Sequence, residues 1–134
     1  MKKIAVLTSG RADYSIYYPI LNQLEKSNKF DLNIIAFGSH LSHYHGYSID
    51  LIKKDGFKKI IAIDSLLSDD KEDSISISMG LTQIRMAEVW KNNNFDFLIC
   101  IGDRFEMFAA ISSALPFNLK IVHLHGGEKT LGAI

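Results

Sequence analysis

No internal disulfide is open to this chain, because Cys100 is the only cysteine among its 134 residues. That fits a reducing compartment. A surplus of charge is missing too: Lys and Arg number 15, and Asp and Glu number 15. Binding a polyanion or an anionic membrane needs a basic excess, so neither nucleic acid nor a membrane surface is expected as a partner. The N-terminus lacks a long apolar run. After Lys2 and Lys3 the apolar stretch begins at Ile4 and reaches Thr8 at most, before Ser9, Gly10 and Arg11. That is too short for a secretion signal or a membrane span, and a cytoplasmic location is the expectation. Internal repeats, low-complexity tracts and interdomain linkers are absent, as are the three-glycine dinucleotide fingerprint and the Walker phosphate loop.

What is present is ordinary globular material, 47% hydrophobic and 22% charged, at a length that fits one domain with a real core. Short apolar runs at 4–7, 32–37, 59–63, 95–101 and 119–124 read as strands, the near-continuous ones as strands buried on both faces. Between them lie helical patterns. The first covers 14–27, with Pro19 breaking or kinking its early part. The second covers 47–54 and is closed by Gly56. A long one covers 75–92, with Met79, Ile84, Met86, Ala87 and Trp90 as its expected apolar stripe. The last is capped by Asp103, runs to 115 and is stopped by Pro116. Alternating strands and helices predict an α/β fold, a Rossmann-like doubly wound parallel sheet with helices on both faces.

In such sheets ligands bind at the carboxyl ends of the strands. Four clusters fall there: Ser9-Gly-Arg-Ala-Asp-Tyr-Ser15, Gly38-Ser-His-Leu41, Gly102-Asp-Arg-Phe-Glu106 and His123-Leu-His-Gly-Gly-Glu128. Each combines glycine with charged or hydroxyl groups. Arg11 stands beside a helix start, where amides and a guanidinium hold phosphate; the bland alternative is a surface arginine pairing with Asp13. Asp103 reads as a helix N-cap, yet Arg104 beside it opposes the helix dipole, which an anionic ligand would offset. Glu106 reads as a capping partner of Asp103. His123 and His125 alternate on a strand and are expected to point the same way. Two histidines at this spacing also suit zinc, but no third ligand stands at metal spacing, and Gly126-Gly127-Glu128 reads as close backbone approach to a ligand. His40, His43 and His45 lie in a loop, solvated or ligand-contacting. Cys100, inside a buried strand, reads as an inert small hydrophobe.

Taken together, Arg11-Ala-Asp-Tyr-Ser15 with Pro19, Gly38-Ser-His-Leu41, Gly102-Asp-Arg104 and His123-x-His-Gly-Gly-Glu128 resemble the hydrolysing UDP-N-acetylglucosamine 2-epimerases of nonulosonic, sialic-type sugar synthesis, legionaminic acid included. The resemblance spans the whole chain. It implies that residues 1–134 are the N-terminal domain of a two-domain enzyme of glycosyltransferase-B type, with the nucleotide-binding domain beyond residue 134 and the fragment inactive alone. It implies a UDP-linked 2-acetamido sugar as substrate, either UDP-N-acetylglucosamine or a diacetamido-trideoxy analogue, no metal or other cofactor, and a homodimer. By matching position, Arg11, Ser15, Arg104 and His40 fall in the substrate-binding set, and Asp103 matches an aspartate needed for activity. His125 stands where many relatives carry a glutamate that is a candidate base, so the base falls to His125 itself or to Glu128. Two other readings remain at this stage: the acceptor-side domain of a glycosyltransferase of the same architecture, and a non-enzymatic flavodoxin-like binding module.

Overall fold

The computed structural model describes residues 1–66, 69–102 and 104–125. Five parallel strands form one sheet in the order β3-β2-β1-β4-β5. They are β1 (Lys2–Thr8), β2 (Phe30–Ala36), β3 (Ile60–Ala62), β4 (Phe97–Ile101) and β5 (Lys120–Leu124), connected through α1 (Arg11–Lys26), α2 (Ile49–Lys54), α3 (Glu72–Asn92) and α4 (Phe105–Ala114). The chain winds outward from β1 to β3, crosses back to β4 and winds the other way to β5. Right-handed crossovers then put α1 and α2 on one face and α3 and α4 on the other. This is the doubly wound α/β layer that the alternating pattern predicts.

The centre of the sheet is apolar on both faces. Ile4, Leu7, Ile34, Ile35 and Leu98 are fully buried. Each such side chain stabilises the fold by about 1.5–3 kcal/mol relative to exposure. β5, expected to be buried like the rest, is not. It is the last strand in the order and is hydrogen-bonded to β4 alone among the described strands. Val122 is 43% exposed, and Lys120 and His123 are exposed as well.

Two helices differ from the sequence expectation. α1 starts at Arg11, three residues early, and runs through Pro19. Proline removes the N–H that would bond the Ser15 carbonyl, but Ser15 and Pro19 both lie on the exposed side of the helix, where the loss costs less than in the core. α3 buries Ser74, Ser78, Thr82, Met86, Val89 and Trp90, not the stripe through Met79 and Ile84; Ile84 is 67% exposed. Hydroxyls can occupy that buried face because they bond locally: Thr82 Oγ1 donates to Ser65 Oγ at 2.9 Å or to the Ser78 carbonyl at 2.8 Å. Small residues let the helix start lie close to its neighbours, while Trp90, whose Nε1–H donates to Ser113 Oγ at 2.8 Å, locks its far end to α4. A hydrophobicity count alone misses a face built that way.

Candidate functional site

The turns leaving β1 and β2 are tied together, extending the strand ladder past the strand ends. Phe37 N–H donates to the Thr8 carbonyl at 3.1 Å, and Ser39 N–H and Oγ–H both donate to the Ser9 carbonyl at 2.9 Å. Two glycines permit this contact for different reasons. Gly10 has extended backbone open to any residue, but a Cβ there would sit 2.6 Å from Ser39 Oγ. Gly38 has φ +61, and a Cβ would also lie 3.0 Å from the Ser9 carbonyl oxygen. Asp13 closes the first turn: its Oδ2 accepts the Ser9 N–H at 2.9 Å and the Ser9 hydroxyl at 2.6 Å. The Asp13 carboxylate is therefore engaged with Ser9, and no bridge to Arg11 occurs among the described residues.

Beneath these turns lies His40, fully buried in a short 3-10 turn, Gly38–Leu41. Its Nε2 is 2.8 Å from Thr8 Oγ1 and its Nδ1 is 2.8 Å from Ser48 Oγ. Burial pushes the imidazole down to about 4, so it is neutral at physiological pH. Both ring nitrogens are occupied and the ring is closed to solvent. The geometry thus gives His40 the task of holding the end of β1 against the start of α2. Tyr14 of the first cluster is buried too, and its hydroxyl donates to Asp55 Oδ2 at 2.5 Å, joining α1 to the end of α2.

A cavity of about 330 Å³ opens over this platform at the carboxyl edge of the sheet. Residues following four strands line it: Ser9 to Asp13 after β1, Ser39 and His45 after β2, Leu66, Asp69 and Asp70 after β3 with Ile75 and Ser78 of α3, and Arg104 to Glu106 after β4. Arg11 in the first turn of α1 and Arg104 at the N-cap of α4 thus meet in one space. Each places a cation where the helix dipole disfavours it, by about 0.3–1 kcal/mol. Together with the helix amides they make a place for an anionic group.

Among the described residues Glu106 pairs with Arg104. Its buried carboxylate receives Arg104 Nε–H at 3.3 Å and Nη2–H at 3.4 Å, with the guanidinium itself largely exposed. That hydrogen bond, then the carboxylate's charge, raises the guanidinium further above its usual range. Across the cavity the Asp69 carboxyl is held below its usual range by the Ser74 hydroxyl and the Lys71 N–H.

The other predicted residues fall elsewhere. Ser15 is exposed, donates to the Arg11 carbonyl at 3.0 Å and does not line the cavity. His123 sits on β5, and its Nε2 is 2.7 Å from the Gly102 carbonyl, which accepts the ring N–H; Gly102 N–H in turn donates to the Leu124 carbonyl at 3.2 Å. His125 does not continue the strand alternation: β5 ends at Leu124, and His125 takes a left-handed φ of 57°. Asp103 and Glu128 lie outside the described residues. Cys100 is buried and its thiol is pushed up to about 11 by that burial, as expected of an inert side chain. Among the described residues no three His, Cys, Asp or Glu side chains group as a metal would require, and no helix is long and apolar enough to cross a membrane. Sequence reading placed Ser9 and Ser39 in the edge clusters without giving them a role, and passed over Asp69. The signal for the first two was proximity to glycines that leave no room for a side chain.

The family model described as UDP-N-acetylglucosamine 2-epimerase matches residues 22–134. The chain belongs to that family. Relatives include a UDP-N,N'-diacetylbacillosamine 2-epimerase (hydrolyzing) of Legionella pneumophila, 35% identical over 97% of this chain and 34% of its own length. The polysialic acid biosynthesis protein P7 of Escherichia coli is 32% identical over 98% of this chain and 34% of its own. Among solved structures, the UDP-N-acetylglucosamine 2-epimerase of Neisseria meningitidis bound to UDP-N-acetylglucosamine superposes with a TM-score of 0.76 at 15% identity, over 98% of this chain and 34% of that one. The chain thus spans about a third of the length of these family members, and its doubly wound sheet is the fold they share over that third.

Proposed function

We propose that this chain forms one wall of the active cleft of a hydrolysing 2-epimerase that acts on a UDP-linked 2-acetamido sugar. The observation that carries the reading is the meeting of Arg11 and Arg104, at two helix N-termini, in one cavity at the carboxyl edge of the sheet. Family membership and the names of the relatives support the reaction type; those names include both N-acetylglucosamine and diacetylbacillosamine derivatives.

The reaction has two stages. A base takes the C2 proton, the C2–H electron pair forms the C1=C2 bond, and the C1–O bond breaks with its electrons leaving on UDP. Water then adds across the double bond, oxygen to C1 and a proton to the opposite face of C2, releasing the C2-inverted free sugar. Charge that develops on the departing diphosphate is met by Arg11 and Arg104, prearranged donors that need little reorganisation as the bond breaks. His40 serves as a positioning residue for the Gly38–Ser39 turn and not as a direct contact. Ser15 acts through the Arg11 turn or at the rim. Asp103, with His125 or Glu128 as base, supplies acid–base chemistry. The rest of the cleft, with the nucleotide-binding domain, comes from sequence beyond this chain, and the 134 residues alone do not turn over. A cytoplasmic homodimer belongs to the same reading; the exposed apolar side chains of α3 and α4, Ile84 and Phe108 among them, support self-association.

The test uses a protein in which this chain is continued through a second domain. Incubation with either UDP-sugar in D₂O, without an acceptor, is expected to release UDP and a C2-inverted free sugar carrying deuterium at C2. Release of UDP only when an acceptor sugar is added would replace the proposal with a glycosyltransferase. In the same protein Asp103→Asn is expected to lower turnover by about 10²-fold, the weight of a general acid–base group, without unfolding it. Near-normal turnover would reduce Asp103 to a structural residue.

A further inference from the structure

The three histidines of the loop after β2 have three separate tasks, and one of them concerns the ligand. His40 is buried beneath the turn with both nitrogens bonded. His43 stacks flat on Tyr47, with ring centroids 4.2 Å apart and planes 5° from parallel, and so braces the loop from outside. His45 lines the cavity together with Arg11, Ser39 and Glu106.

The position of His45 is fixed by the backbone around it. It ends a single 3-10 turn, His43–His45, whose N–H groups close back on the chain: His45 N–H to the Ser42 carbonyl at 3.1 Å and Gly46 N–H to the His43 carbonyl at 3.1 Å. Gly46 then takes φ +86, and Tyr47 N–H returns to the same Ser42 carbonyl at 2.8 Å, pinching the loop shut. The ring is oriented as well. Nδ1 lies 3.0 Å from Ser42 Oγ, and Tyr44 meets the ring edge-on at 5.2 Å. When the serine hydroxyl donates to Nδ1, the ring proton resides on Nε2, which has no partner among the described residues. Two other polar groups of the wall are spoken for: Asp13 bonds Ser9, and Ser39 bonds the Ser9 carbonyl, while Arg104 turns only Nε and Nη2 to Glu106. Arg11, the Arg104 N–H groups not turned to Glu106 and His45 Nε2 are therefore what this wall offers a ligand.

We infer that His45 is a binding residue of this site, donating its Nε2–H to an acceptor oxygen of the nucleotide-sugar, either of the diphosphate or of the sugar. The inference rests on the reading of the cavity as a nucleotide-sugar site. It adds a side chain from the loop after β2 to a contact set drawn from the β1 and β4 turns.

The experiment is an NMR titration of a protein in which this chain is continued through a second domain, labelled with ¹⁵N in its backbone and histidine rings, against UDP and separately against UDP-N-acetylglucosamine, carried to high ligand concentration. The amides of Gly10 and Ser39 report on the cavity, and the His45 ring nitrogen and Cε1 proton report on the inference. Both sets are expected to shift together, with the same saturation. Ring shifts already present with UDP identify a phosphate oxygen as acceptor, and ring shifts confined to the UDP-sugar identify a sugar oxygen. His45→Phe, which keeps the edge contact with Tyr44 and removes the donor, is expected to weaken affinity about fivefold, the worth of one hydrogen bond. His45→Gln, which returns a donor near the same place, is expected to recover much of it. His43→Phe, which keeps the stack on Tyr47, is expected to bind like the parent. Shifts at Gly10 and Ser39 with a silent His45 ring, and unchanged affinity in His45→Phe, would overturn the inference and leave the site standing. No shift at Gly10 or Ser39 with either ligand would overturn the reading of the cavity, and the inference with it.

Discussion

Where β1 and β2 end, the chain is drawn into a buried knot: Thr8 and His40 are fully buried, Ser9 and Ser48 nearly so, and each finds its partner within the knot. Where β4 and β5 end, at the same edge of the same sheet, His123 is exposed, β5 has one strand neighbour among the described strands, and the described contacts across the gap are single hydrogen bonds. The two regions carry similar residues, histidine and glycine beside charge, and put them to opposite use. In the first, polar groups are structure, and their removal registers as lost stability. In the second, His123 faces outward, and its removal is expected to cost little stability.

The sharpest way to break that contrast is His40→Ala. It leaves a cavity and takes a partner from two buried hydroxyls, with an expected loss of about 3 kcal/mol in chemical denaturation. A loss below about 1 kcal/mol would show that the knot is not what holds this edge.

A comparable effect is expected from pH. In the unfolded chain His40 has its ordinary value near 6.5, and in the folded chain about 4. Above pH 6.5 neither state carries the proton, so His40 is neutral to stability there. As pH falls from 6.5 towards 4 the unfolded state takes up a proton that the native state refuses, and stability declines. The decline is complete below 4, at about 3 kcal/mol. Denaturation midpoints at several pH values, in the parent and in His40→Gln, measure it. The parent should lose more than the variant across that window, and parallel curves would sink the assignment.

Next in size is Gly38→Ala, which forces a side chain into a left-handed conformation 3.0 Å from the Ser9 carbonyl. The expected cost is about 1–2 kcal/mol, read as a lowered melting temperature. The smallest effect is assigned to His123→Ala on the exposed strand, within about 0.5 kcal/mol. If it matched His40→Ala, the two halves of the edge would not differ as described.

The parallel sheet was legible because Ile4 to Leu7, the run near Ile34 and the run near Ile99 are apolar without alternation, which only a strand covered on both faces tolerates. β5 has a similar composition, and that it is hydrogen-bonded to β4 alone among the described strands is something no local pattern encodes. On α3 the burial of Met86 and Trp90 was legible, but the N-terminal part of the buried face was missed because serine and threonine occupy it, satisfied by bonds that composition does not reveal. At the site, Arg11 and Arg104 were legible from chain position alone, since each follows an apolar strand and opens a helix. The burial of His40 was not, because nothing in Gly38-Ser-His-Leu41 distinguishes a ring facing a ligand from one wedged between Thr8 and Ser48. His125 was misread by extending strand alternation one residue past the strand's end.

The contact between Gly10 and Ser39 has a consequence for how this sequence can drift. A methyl group at position 10 would lie 2.6 Å from Ser39 Oγ, although the backbone there is open to any residue. The obstacle to Gly10→Ala is therefore another side chain, and it disappears if position 39 loses its hydroxyl. Ser39→Gly alone gives up the hydroxyl's bond to the Ser9 carbonyl, and Gly10→Ala alone meets that hydroxyl. Made together, each change removes part of the other's harm, so their effects are non-additive. The order of acceptance then matters: a lineage that loses the serine first has a path to alanine at position 10 that is closed to one attempting the alanine first. Two residues 29 positions apart thus share one mutational history because a single oxygen atom stands between them.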